Sequence, residues 1–264
     1  MGAVKRCAVH RTKIAYGPEP SQFGHLYHVA SADDRPDRMR PVVLVHGGYW
    51  TTEFSLTIES AIARQYAERG ALVWNVEYRR IGEAGAGWPA TGTDVRSAIE
   101  ALDTEIPDAL EPDLRACVDW TDVAVVGHSA GGQLALWSVA QLGAKTASTS
   151  ITTVVAQASA LDLVGAGRAA RPSVEGLMGG PYDAMPERYR QASPIEQEPF
   201  DAHVVAIHGT LDTAIPVDVS RHYVETVCAR GQSAELIVVP DEGHDAFVDP
   251  RSVCNRQTLR VLGI

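Results

Sequence analysis

At 264 residues and 45% hydrophobic content, the chain is long enough to bury roughly three quarters of its unfolded surface in one large domain. Its 23 Lys and Arg against 33 Asp and Glu leave a formal charge of −10, and no basic cluster is denser than the one at 35–40, so nucleic acid is not an expected partner. The opening "MGAVKRCAVH" lacks an apolar signal core and has Arg6 where a myristoylation site needs Ser or Thr. No run approaches membrane-spanning length, and a cytoplasmic chain without membrane attachment is expected.

In chain order, alternating segments at 13–16 and 25–30 predict an antiparallel strand pair. Short β-rich runs follow at 42–46, 72–77, 123–127, 151–156, 203–208 and 235–239. Between and after them, helical patterns occupy 55–69, 93–105, 130–142, 217–230 and 251–262, two of them stopped by Gly70 and Gly231. Strands apolar on both faces and separated by helices predict an α/β fold with about eight mostly parallel strands and helices on both faces. A single domain over 1–264 is expected. The segments 77–92 and about 159–199 break this rhythm and are predicted to wall a site, the second as a lid or cap. Cys7, Cys117, Cys228 and Cys254 have neither zinc-site nor disulfide-framework spacing and are expected as free thiols.

The stretch "VAVVGHSAGGQLALW" runs a buried strand through a tight glycine turn into a helix, with Ser129 at the turn. Its "GHSAG" fits G-x-S-x-G, where small flanking residues let the backbone close up while the serine hydroxyl stands above the carboxyl edge of the sheet. An ordinary strand-to-helix turn needs neither the serine nor the histidine before it. A serine hydroxyl needs a base, and the base needs an acid to orient it. "HGTLDTAIP" puts Asp212 just past one strand, and "VPDEGHDAF" puts His244 just past the last, in the order Ser, Asp, His. Asp162, Asp183 and Asp245 compete for the acid's place, and His46, His128 and His208 also adjoin strand ends. "VHGGYW" follows the strand at 42–46 and can present the N–H of Gly48 or Tyr49, beside that of Ala130, to an oxyanion. Trp50, Trp88 and Tyr182 are candidate substrate contacts, with Tyr189 beside them, and packing residues otherwise.

"GAGWPA" at 85–90 formally fits a dinucleotide fingerprint but starts too far from a strand, and His25 and His28 stand three apart on a strand, facing opposite ways. Neither a cofactor nor a metal is implied. With these motifs in this order, the chain resembles the α/β-hydrolase fold family over nearly its whole length. Within that family, "HGGYW" followed by "GHSAGG" resembles the kynurenine formamidase (arylformamidase) branch, and "GHSAGG" is shared with small esterases and with the hydrolase domain of acylaminoacyl peptidases. The resemblance implies a serine hydrolase acting on a small-molecule ester or amide, with hydrolysis of N-formylkynurenine-type substrates first and short-chain carboxylester hydrolysis as the alternative. A non-catalytic ligand-binding role is the reading of another class. Oligomeric state is left open, a homodimer included.

Overall fold

The structure, a computed structural model, describes residues 8–264; Cys7 and most of the segment read for targeting signals lie outside them. Eight strands form one sheet: β1 Val9–Ala15, β2 Phe23–Val29, β3 Pro41–Val45, β4 Leu72–Val76, β5 Val123–His128, β6 Ile151–Gln157, β7 His203–Gly209 and β8 Ala234–Val239. Their order is β1-β2-β4-β3-β5-β6-β7-β8, with β1 and β2 antiparallel and every pairing from β4 to β8 parallel. Parallel strands need crossovers, and here helices supply them on both faces, which is why β3, β4 and β5 are buried at every position.

The helices are α1 Ser60–Glu68, α2 Ala90–Glu100, α3 Glu105–Asp108, α4 Pro112–Ala116, α5 Ala130–Leu142, α6 Leu163–Arg168, α7 Pro172–Met178, α8 Pro186–Ala192, α9 Val217–Ala229 and α10 Val253–Leu262. One core joins Val43, Val125 and Val154 of the sheet to α2, α5 and α9, while a second, on the opposite face, joins Val42, Val73 and Val205 to α1 and α10. Two apolar layers on a mostly parallel sheet give the three-layer α/β architecture that the sequence predicts.

Several predicted segments differ in detail; the helix expected at 93–105, for one, spans Ala90–Glu100 and ends in a 3-10 turn over Ala101–Asp103. The helix expected at 55–69 begins as a 3-10 turn over Leu56–Glu59, with Ser55 accepting from Thr57 N–H, before α1 takes over. The segment 159–199 is helical where irregular chain is predicted, because α6, α7 and α8 are six or seven residues long and too short to show a period in sequence.

Candidate active site

Ser129 follows β5 at φ 53° and ψ −117°, outside the regions where a side-chain-bearing residue normally rests, and Ala130 opens α5 directly after it. Neighbouring glycines permit this strain. A Cβ on Gly127 would strike the backbone of Gly131, and one on Gly131 would strike the carbonyls of Val45 and His46 at the end of β3. Ser129 N–H is tied to Gln157 O of β6 at 2.8 Å, so the turn is held from the neighbouring strand.

From the loops after β7 and β8, Asp212 and His244 arrive at the same sheet edge. His244 Nε2 lies 2.9 Å from Ser129 Oγ, and its Nδ1 lies 2.7 Å from Asp212 Oδ2. The other carboxylate oxygen accepts from the N–H groups of Ala214 and Ile215 at 2.8 and 2.9 Å. Burial pushes the Asp212 carboxyl up, but donors on His208, His244 and Ile215 outweigh it and hold the group well below the usual carboxylate range. An ionised Asp212 keeps the proton of His244 on Nδ1 and leaves the Nε2 lone pair to face the serine hydroxyl.

The two loops are joined to each other. Leu211 N–H donates to Glu242 O at 2.9 Å, an approach that a Cβ on Gly209 would block. The Glu242 carboxylate accepts from the N–H groups of Val253 and Cys254, both at 2.6 Å, fixing the loop to the start of α10. From the other side, His128 Nε2 donates to His244 O at 3.0 Å, with the two ring centroids 4.8 Å apart. Burial first, and the nearby His244 ring second, push His128 down to about 3, so this ring stays neutral as a fixed donor.

The loop after β3 carries three successive residues at positive φ: Gly48 at 117°, Tyr49 at 54° and Trp50 at 59°. At Tyr49 and Trp50 such a conformation, worth on the order of 1–3 kcal/mol per residue, persists only where the surroundings over-determine it. Here they do. Trp50 O accepts from Ile81 N–H at 2.7 Å, Trp50 Nε1 donates to Gln133 Oε1 at 3.0 Å, and Gln133 Nε2 donates on to Ala192 O at 2.9 Å. At the base of the loop, His46 stacks on Tyr78 at 4.4 Å and its Nε2 meets Glu77 Oε1 at 2.8 Å. Glu77 in turn receives Leu56 N–H and Arg80. None of the N–H groups of Gly48, Tyr49 and Ala130 has a protein acceptor among the described residues, which leaves all three predicted oxyanion donors free.

A pocket of about 370 Å³ opens beside Ser129 and His244, and its walls are mainly apolar: Trp50, Leu161, Ala166, Val174, Ile215 and Val219. Tyr49 stands at its mouth, 47% exposed. Trp88 and Tyr182, predicted as substrate contacts, are not among the lining residues. Trp88 is buried edge-on against Trp137 at 4.6 Å, and Tyr182 packs edge-on against Tyr189 at 5.5 Å with the Arg168 guanidinium over its ring. Tyr189 is itself fully buried, its hydroxyl donated to Gly180 O. Of the competing aspartates, Asp162 lines the pocket but turns its carboxylate to cap α6 through Gly165 N–H, and Asp183 and Asp245 are exposed.

The sequence profile of the family described as BD-FAE matches residues 28–227, which take in the serine turn, Asp212 and the loop after β3. The chain belongs to the BD-FAE family. Among characterised sequences it is similar to Esterase LipC of Mycobacterium tuberculosis (strain ATCC 25618 / H37Rv), 28% identical over 262 residues covering 92% of this chain and 62% of the relative. The chain thus spans under two thirds of that relative's length. Among solved structures, the truncated form of a carbohydrate esterase from gut microbiota superposes with a TM-score of 0.80 at 18% identity, over 100% of this chain and 98% of that one. Esterase B from Lactobacillus rhamnosis superposes with a TM-score of 0.77 at 17% identity, over 97% and 85%. At these identities the two structures bear on the fold alone, and His244 lies beyond the stretch that the BD-FAE profile covers.

Sequence reasoning passed over Gln133, Glu77 and the contacts of His208 with Asp212 and of His128 with His244. The one available signal was that His46, His128 and His208 all stand at the carboxyl ends of strands, the edge where the site forms.

Proposed function

We propose that this protein hydrolyses carboxylic esters through an acyl-enzyme on Ser129. The observation that carries the reading is the aligned series Ser129 Oγ, His244, Asp212, at 2.9 and 2.7 Å, beside an apolar pocket. His244 takes the hydroxyl proton as Ser129 attacks the ester carbonyl, the N–H groups of Ala130 and Tyr49 receive the developing oxyanion, and Asp212 balances the charge gained by the imidazole. His244 then protonates the leaving alcohol, and water repeats the cycle on the acyl-serine. The esterase names carried by the relatives agree with this chemistry.

Deformylation of aryl formamides, as in arylformamidases, is the narrower reading. It is supported by the "HGGYW" sequence and by Trp50, which closes one side of the pocket next to Ser129. A hydrolysis panel of N-formylkynurenine, p-nitrophenyl acetate, butyrate and octanoate, and an aminoacyl anilide separates the two. The expected result is turnover of the short esters that vanishes in S129A. Ester turnover that survives in S129A sinks the proposal, and a formamide preference over acetate selects the narrower reading.

A further inference from the structure

Asp212 has a second imidazole. The ring of His208, at the end of β7, brings its Nε2 to 3.1 Å from Asp212 Oδ2, the same oxygen that meets His244. That Nε2 also lies 2.9 Å from Ile215 O, and the opposite nitrogen, Nδ1, lies 2.7 Å from Ser220 Oγ of α9. Nε2 therefore faces only acceptors, whereas Nδ1 faces a hydroxyl able to donate, an environment that selects the neutral ring protonated on Nε2. His208 and Ser220 are both completely buried, so no substrate reaches them.

The result is two hydroxyl–imidazole arms meeting at one carboxylate. One runs from Ser129 through His244 and opens to the pocket, while the other runs from Ser220 through His208 and is closed. Ile215 links the closed arm to the substrate wall, because its N–H donates to Asp212 Oδ1, its carbonyl accepts from His208, and it lines the pocket. An unclamped carboxylate can rotate about χ2 and offer His244 an oxygen already committed to Ala214 and Ile215. With His208 against Oδ2 and two peptide N–H groups on Oδ1, its orientation is set from both sides.

We propose that His208 is a positioning residue for the hydrolytic reaction, locking Asp212 and the Ile215 peptide in the arrangement that orients His244. The proposal rests on the Ser129 reading above, so the test measures activation of Ser129 without needing a substrate. The rate at which a fluorophosphonate labels Ser129 is compared in the unaltered chain, H208F, H208Q, D212N and the double variants H208F/D212N and H208Q/D212N. H208F keeps a ring without donors, and H208Q keeps an N–H near the position of Nε2.

Loss of a hydrogen-bond donor beside a charged group corresponds to a slowing of roughly 10- to 100-fold for H208F, with H208Q recovering most of it. H208F/D212N is expected to label no more slowly than D212N, because His208 acts through Asp212. An equal fold-loss from H208F with and without D212N, or no recovery in H208Q, makes His208 a packing residue and overturns the proposal. Should H208F not fold, 15N-histidine NMR of the unaltered chain decides: His208 as the Nε2–H tautomer supports the lock, and the Nδ1–H tautomer overturns it. Labelling of Ser129 without any ester turnover refutes the ester reading while leaving this test intact, and absence of labelling in the unaltered chain refutes both.

Discussion

His244 Nε2 stands 2.9 Å from Ser129 Oγ although 115 residues of chain separate them, and each sits at the carboxyl end of its own parallel strand. On the proposed mechanism, replacing either group removes the base or the nucleophile. S129A and H244A are each expected to lower kcat on p-nitrophenyl acetate by on the order of 10⁶-fold, and D212N by about 10⁴-fold through loss of the correct tautomer. Combining S129A with H244A should cost little more than either alone, because the residues act as a unit. Steady-state kinetics on purified, folded variants checks this, and a full multiplicative loss counts against a shared role.

Gly209 tests how tightly the acid and base loops must approach. A Cβ there meets the Glu242 carbonyl directly, so G209A has to push away the loop that carries His244. Overpacking of this kind costs about 1–3 kcal/mol. The melting temperature should fall, and kcat should fall further than KM rises, because the shift displaces the base and leaves the pocket wall in place. An unchanged kcat in folded G209A would show that the loop has slack that the geometry denies.

Glu59 gives a pH dependence with a definite sign. Its carboxyl is fully buried with one oxygen unpartnered, and burial raises it from 4.5 to about 8. Because the folded state holds the proton more tightly than the unfolded chain, this group's contribution to stability is complete below pH 4.5 and is lost as pH rises toward 8. The loss over that window is on the order of 5 kcal/mol, at about 1.4 kcal/mol per unit. E59Q should flatten the decline. Denaturant melts of both proteins at pH 5, 6.5 and 8 measure it, and parallel curves refute the assignment.

Trp50 forms one wall of the pocket and is anchored by Gln133. W50A enlarges the space next to Ser129, and the preference among acetyl, butyryl and hexanoyl esters is expected to shift toward the longer chains. Each added methylene is worth roughly 1–3 kcal/mol in such discrimination. A comparison of kcat/KM across the series in both proteins checks this. An unchanged ranking places the acyl chain elsewhere in the pocket.

The sequence by itself determined the α/β layering and the strand-end placement of Ser129, Asp212 and His244. These follow from local rules: apolar runs on both faces of a strand, glycines where backbones must touch, and loops that emerge at one edge of a parallel sheet. It could not determine where the side chains of Trp88 and Tyr182 point. Nothing within a few residues of Trp88 distinguishes a pocket wall from the face of Trp137, and nothing near Tyr182 distinguishes substrate from Tyr189. Placement past the last strand singled out His244 as the candidate base, and the tertiary structure decided what each of the four histidines at this edge touches. His244 meets the serine, His128 holds the backbone of His244, His46 meets Glu77 and His208 backs Asp212. Their roles depend on partners from other strands and loops, and pairing at such distances along the chain exists only once the sheet has brought those elements together.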